Sequence, residues 1–296
     1  MIRAPLSDAI VEIFDTLPSQ LQGAARYLLD NPEDVALLSM REQARRAGLQ
    51  PWTMVRLAKR LGFDGYEPLR SLYANAMRQG ELGFAGKAGA QLARQKQVGD
   101  RALAAEMIRS LSAQVAELGE TDRLESLVAA AEALHAARRI FCLGLRSSHP
   151  VVAHFAYVMS FLGEKAVMLD AASGAGTDAI RLAADEDVLL VVSVAPYTRT
   201  TVDLARRAAA NGVPVIALTD SAVSPLVGLA GLSVLIATES PSFFHTMAPA
   251  FIVGEVLAAL IAGKGGEGSL AAIRRTEDQL SQLDIHILTP RGRRKA

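Results

Sequence analysis

The chain has a single cysteine among its 296 residues, Cys142, so neither a disulfide framework nor a thiolate metal cluster can form within one copy. Cys142 stands in the apolar run Ile140-Phe141-Cys142-Leu143, which predicts a buried, unreactive thiol. Long hydrophobic runs are missing as well. The most apolar late segment, Phe251 to Ala262, is interrupted by Glu255 and falls short of the roughly 20 apolar residues that cross a bilayer. The first residues, Met1 to Asp8, lack the apolar core of a secretory signal, so a cytoplasmic location with no membrane partner is expected. Net charge is zero, 31 Lys+Arg against 31 Asp+Glu, and any attraction to a polyanion must come from a local patch. Half of the residues are hydrophobic, enough to build one large or two ordinary cores.

One such patch exists, between Ser39 and Tyr66. Ser39 with Glu42 three residues later makes a capping box that starts a helix carrying Ala44 and Ala47 inward. Gly48 ends it, Leu49 plugs the corner, and Pro51 suits the first turn of a second helix. In that helix Met54, Val55, Ala58 and Leu61 form an apolar stripe, while Thr53, Arg56, Lys59 and Arg60 fall largely on the other face. From Ser39 to Arg60 six basic residues, Arg41, Arg45, Arg46, Arg56, Lys59 and Arg60, oppose the single acid Glu42. Helix, glycine, short turn with proline, helix is the spacing of a helix-turn-helix module. Gln50, Trp52, Thr53 and Arg56 are therefore expected to meet base edges, and Lys59 and Arg60 to hold phosphates; for Trp52, packing on the neighbouring helix is the competing reading.

Up to about residue 79 the pattern is purely helical, in six apolar-striped pieces, one of which runs from Leu17 to Leu29 and stops at Asp30-Asn31-Pro32. Glycine, alanine and glutamine dominate from Gly80 to Gly99, where the apolar stripe fades, and residues 80–124 are read as linker and connecting helix. From Arg138 onward short β-rich runs alternate with helical ones, which argues for a parallel sheet with helices on both faces. Strands are expected at Arg139 to Leu143, Ala166 to Leu169, Val188 to Ser193, Val215 to Thr219 and Ser233 to Ala237. The fold class is thus an all-α helix-turn-helix bundle (1–79) followed by an α/β domain (125–288) with a five-stranded parallel sheet, and a basic tail (289–296).

Each expected strand but the last leads into a loop of small polar residues, at 144–148, 173–177, 193–201 and 219–224. Ligands of open parallel sheets sit at the carboxyl ends of the strands, where such loops meet helix N-termini. In the first loop Ser147 and Ser148 offer hydroxyls, though either could simply cap a helix; the third repeats the arrangement with Ser193, Tyr197, Thr198, Arg199 and Thr200. Gly174-Ala-Gly176 is no dinucleotide fingerprint. His149 and His154 miss the i, i+4 spacing of a helical metal pair, and no carboxylate completes a site, so neither metal nor cofactor is expected. His245, at the head of a long helix from about Phe243 to Gly263, is within reach of the pocket, with a packed or solvated histidine the simpler reading. Arg291 to Lys295 reads as a solvated end.

With these residues in view, the chain resembles the RpiR/MurR family of bacterial transcription regulators, in which a helix-turn-helix domain precedes a sugar isomerase (SIS) domain. The most specific part is Val55 to Tyr66, close to a family signature that ends K-x-L-G-F-x-G-F, and Thr219-Asp220-Ser221 with Ser224-Pro225 is similar to the family's fourth-strand loop. The resemblance implies a regulator that binds a double-stranded DNA operator as a homodimer or homotetramer, with a small anionic effector, a sugar phosphate or related carbohydrate derivative, held by Gly144, Arg146, Ser147, Ser148, Ser193, Tyr197, Thr198 and Arg199. Two departures bear on this. Arg146 replaces the second glycine of the family's first loop. In the third loop Ala195 deletes a hydroxyl, Pro196 removes a backbone donor and Thr200 stands where the family has a carboxylate. A sugar isomerase needs a base beside the carbonyl, so no catalytic residue is expected. The alternative is a phosphosugar isomerase-like enzyme with an accessory helical domain.

Overall fold

A computed structural model describes residues 6–78, 83–170 and 176–285. The early part of the second sheet loop (171–175) and the basic tail lie outside the described residues.

Among the described residues, six α-helices form the N-terminal bundle: α1 (Ser7–Ile13), α2 (Ser19–Asp30), α3 (Pro32–Leu37), α4 (Met40–Arg46), α5 (Pro51–Arg60) and α6 (Tyr66–Arg78). The capping box at α4 is present, the Glu42 backbone N–H donating to Ser39 Oγ at 3.3 Å. Gly48, at φ +67°, closes α4 in a Schellman motif: Leu49 N–H reaches the Ala44 carbonyl at 2.8 Å and Gly48 N–H the Arg45 carbonyl at 3.2 Å, satisfying carbonyls the helix end would leave open. Leu49 then packs on Gly23 of α2. Pro51 occupies the first turn of α5. A core of Ile10, Phe14, Leu28, Met54, Leu57, Leu69 and Tyr73 fills the bundle, and inside it Gln43 donates to the Val35 and Leu38 carbonyls and accepts from Tyr66 Oη. This one amide ties α3, α4 and α6 together.

Residues 83–98, glycine- and alanine-rich, form α7 (Gly83–Val98) with no fully buried residue. Next come α8 (Asp100–Glu117) and α9 (Thr121–Ala136). The sheet comprises β1 (Ile140–Gly144), β2 (Ala166–Leu169), β3 (Val188–Val192), β4 (Val215–Thr219) and β5 (Leu232–Leu235), all parallel in the order β2-β1-β3-β4-β5. Intervening or following helices are α10 (His149–Ser160), α11 (Arg199–Ala210), α12 (Ala248–Lys264) and α13 (Gly266–Gln282). β1, β3 and β4 are buried throughout, as strands covered on both faces must be. Alternate residues serve opposite cores: Ile140 and Cys142 join α9, α10 and α12, whereas Phe141 and Leu143 join α11. Burial pushes the Cys142 thiol up to about 12, consistent with an inert core residue. Among the described residues no single helix is long and apolar enough to cross a membrane, and no cluster of three metal-ligating side chains occurs.

At the amino end of β3 the fully buried Asp187 carboxylate accepts from Arg138 (3.0 and 2.8 Å), Arg139 (3.3 and 2.9 Å) and the Ala184 N–H (2.9 Å). Those bonds, Arg138's above all, hold its carboxyl well below the usual carboxylate range. Asp187→Ala should cost about 3 kcal/mol, the lower part of the range for breaking a buried ion pair because both arginines reach water; denaturant unfolding measures it. The site at the opposite end of the sheet is far from this change.

Candidate functional site

Two regions emerge, a cationic helix face and a crevice at the carboxyl end of the sheet. On the first, α5 presents Arg56, Lys59 and Arg60 to solvent beside the exposed Gln50, and these three cations line an open concavity with Thr16, Pro18 and Leu21 at the start of α2. Trp52 is 52% exposed, so it is not packed away; the Arg56 guanidinium lies over its ring at 5.0 Å. Thr53 corrects the sequence reading. It is 1% exposed, its hydroxyl buried without a partner, because it shares the inner face of α5 with Met54 and Leu57. Thr53 cannot reach a DNA groove. Fewer of the module's cations are unpaired than the composition suggests. Arg45 binds Glu42 at 2.6 Å, and Arg46 binds both Glu42 (3.2 Å) and Asp34 (2.8 Å), bonds that hold the Glu42 carboxyl down to about 2. Arg41, Arg56, Lys59 and Arg60 make no ion pair among the described residues.

The second region follows from the strand order. The chain runs from β1 outward to β2 and then returns to β3 on the other side of β1, so the direction of winding switches between β1 and β3, where a crevice opens in such sheets. Gly144 pairs in register with Val192, bringing the first and third loops side by side. A Cβ on Gly144 would stand 2.8 Å from the Ser148 carbonyl oxygen, which is why this position needs glycine. Arg146 adopts φ +54°, the left-handed conformation glycine would take freely, and points an exposed side chain from the loop. Ser148, N-cap of α10, and Ser193, just past the end of β3, are both 3% exposed. Ser147 Oγ lies 2.9 Å from His245 Nε2.

Tyr197 is a brace: its hydroxyl donates to Asp220 Oδ1 at 2.9 Å, while the Ala195 N–H donates to Asp220 Oδ2 at 3.1 Å. Burial and the Asp220 charge together push the Tyr197 phenol well up. Thr198 is the N-cap of α11 and Arg199 its exposed first residue. His245 does not head a helix. Pro249 sits in the first turn of α12, fixing the start at Ala248, and Thr246 Oγ1 accepts from the Ala248 N–H at 3.1 Å. His245 instead lies in the irregular segment before it, half-buried, stacked on Phe244 at 4.2 Å, with its basicity lowered by burial and then by Lys87.

Sequence reasoning gave Asp220 no contact of its own and missed Lys87 and the contact between the helical head and the sheet domain. Asp220 directly follows β4, so its place at a strand's carboxyl end was a usable signal. Three residues on, Val223 is buried in the core of the N-terminal bundle, and Arg26 of α2 donates to its carbonyl at 3.0 Å. Asp30, the last residue of α2, is exposed at the edge of this junction; partial desolvation by the surrounding protein first, then the Asp220 charge, raise its carboxyl to about 6 against the opposing effect of Arg26. A carboxylate raised in the folded state costs stability when ionised, so stability falls as pH rises from about 4 to 6. Asp30→Asn should therefore raise the melting temperature at pH 8, by about 2 °C given the water contact, and lose that advantage near pH 4.

Residues 133–260 match the SIS domain family. The NanR protein of Vibrio vulnificus, in a structure with ManNAc-6P, is 24% identical, with 93% of this chain and 98% of that one covered and a TM-score of 0.54. The sugar isomerase domain of an RpiR transcription factor from Sphaerobacter thermophilus is 28% identical over 60% of this chain and 96% of that one, TM-score 0.53. The phosphoheptose isomerase GmhA of Neisseria gonorrhoeae is 20% identical over 57% and 98%, TM-score 0.46. No curated protein matches the chain.

Proposed function

We propose that this chain, which carries an SIS domain behind a helical head, is a transcription regulator of the RpiR type that binds an operator through α5 and senses a small anionic metabolite, a sugar phosphate or related carbohydrate derivative, in the β1/β3 crevice. The observation that carries the reading is the exposed Arg56, Lys59 and Arg60 on a capped two-helix turn whose Arg45 and Arg46 are neutralised internally. Free cations are thereby concentrated on the face that would meet DNA. A homodimer or larger homo-oligomer fits this reading, since paired heads read symmetric half-sites.

Support for sensing rather than turnover comes from the third loop. Thr200 carries no carboxylate, and both oxygens of the nearby Asp220 accept hydrogen bonds from the protein. One observation favours the rival isomerase reading: the Ser147–His245 pair places an imidazole of lowered basicity at the crevice, a group able to take a proton. Incubation with aldose and ketose phosphates separates the two. Turnover that His245→Gln removes would establish the enzyme. The regulator requires salt-sensitive binding to its own upstream DNA, tighter than to random duplex, measured by fluorescence anisotropy; equal affinity for both duplexes would refute it.

A further inference from the structure

We infer that α7 roofs the crevice and that Lys87 and His245, together with Ser147, form an oxyanion-binding subsite for the charged group of a small hydroxylated metabolite. The inference rests on the reading that the crevice takes an anionic ligand, and adds residues from outside the sheet loops to it.

The geometry ties three separate segments. Ser147, in the first loop, meets His245 Nε2 at 2.9 Å. His245 stacks on Phe244, and Phe244 stacks in turn on Phe84 of α7, ring centroids 5.1 Å apart and 17° from parallel. The Phe243 N–H donates to Gln91 Oε1, also on α7, at 2.9 Å. Phe84, Lys87 and Gln91 are spaced at three and four residues, so they share one face of that helix, and contacts from Phe84 and Gln91 direct this face toward the segment bearing His245.

Charge completes the argument. Lys87 is half-buried and close enough to His245 for its charge to lower the imidazole's basicity, yet it makes no ion pair among the described residues. Arg146, exposed on the same loop as Ser147, likewise makes none among the described residues. Asp220 is the acidic group acting on His245, and its oxygens are engaged by Tyr197 and Ala195. The N-terminus of α10, 12 residues long, adds positive potential beside Ser147. A half-buried ammonium left without a carboxylate is stabilised by a ligand oxyanion, whose charge-assisted bonds replace the water it gives up. A bound negative charge also favours the imidazolium, which makes His245 a reporter of occupancy.

Histidine ring signals of the full-length chain, with His245 assigned by His245→Gln, are titrated against pH without added anion, with inorganic phosphate and with gluconate. His245 should titrate at higher pH when the subsite is filled, while His135 stays fixed; a response to phosphate alone points to phosphate esters, and to gluconate alone to sugar acids. In Lys87→Met the apparent anion affinity should fall about tenfold, and Lys87→Arg should restore it. No movement of His245 with either anion, or an undiminished response in Lys87→Met, overturns the inference. Operator affinity measured on the same samples without anion tests the regulator reading separately.

Discussion

Replacing Arg56, Lys59 and Arg60 together by alanine is expected to abolish specific operator binding, a loss of about a thousandfold or more at moderate salt. The three side chains are exposed and form no ion pair with the protein among the described residues, so the melting temperature should stay within about 2 °C of the parent. The single changes should differ in kind. Arg56 lies over the Trp52 ring at 5.0 Å, a contact worth about 0.5–1 kcal/mol at an exposed site that holds its planar fork in place before DNA arrives. Arg56→Ala is expected to cost about 1–3 kcal/mol with relaxed sequence preference if the fork reads a guanine. Lys59→Ala and Arg60→Ala should weaken every duplex alike, each reducing the salt slope by about 1. Full operator binding by the triple variant would remove the basis of the regulator reading.

The second large effect is expected at Val223. Its side chain is 5% exposed inside the N-terminal bundle's core, although it belongs to the loop after β4 in the other domain. Val223→Asp places a carboxylate among apolar side chains, at several kcal/mol if it stays there, so the head should release from the sheet domain instead. Asp220, three residues earlier, holds the third loop through Ala195 and Tyr197. One path from crevice to head is therefore a short covalent segment with a bonded group at each end. A ligand changes DNA affinity only if it prefers one arrangement of the heads. In Val223→Asp, the anion should still bind with its parental affinity while its effect on operator affinity disappears. Retention of that effect would show that the signal travels by another route. Arg26→Ala, which removes only the bond to the Val223 carbonyl, should weaken the effect without ending it.

Much of this architecture is legible in the residues, and the failures have physical causes. The buried strands announce themselves because a strand covered on both faces admits only apolar side chains, and the expected strands overlap all five observed ones. Local backbone chemistry was equally readable: Ser39, Gly48 and Pro51 do at α4 and α5 what their stereochemistry requires. Thr53 was misplaced because its polarity was weighed above its helical phase, four residues before the buried Leu57. The face of α7 escaped notice because its contacts, Phe84 and Gln91, are scattered among glycine and alanine, and their partner segment is about 150 residues away in sequence. The Arg26–Val223 contact, separated by 197 positions, leaves no periodic trace at all. Tyr197 lies in the third loop, and its bond to Asp220 is a property of two neighbouring strands.

Arg146 carries a consequence for how this loop has been shaped. A side chain at φ +54° gives up about 1 kcal/mol that glycine would keep, in a loop where Gly144 alone already meets the demand for close approach. Conformational preference thus opposes arginine here, and Arg146→Gly is expected to relieve that backbone cost while removing the guanidinium from the first loop.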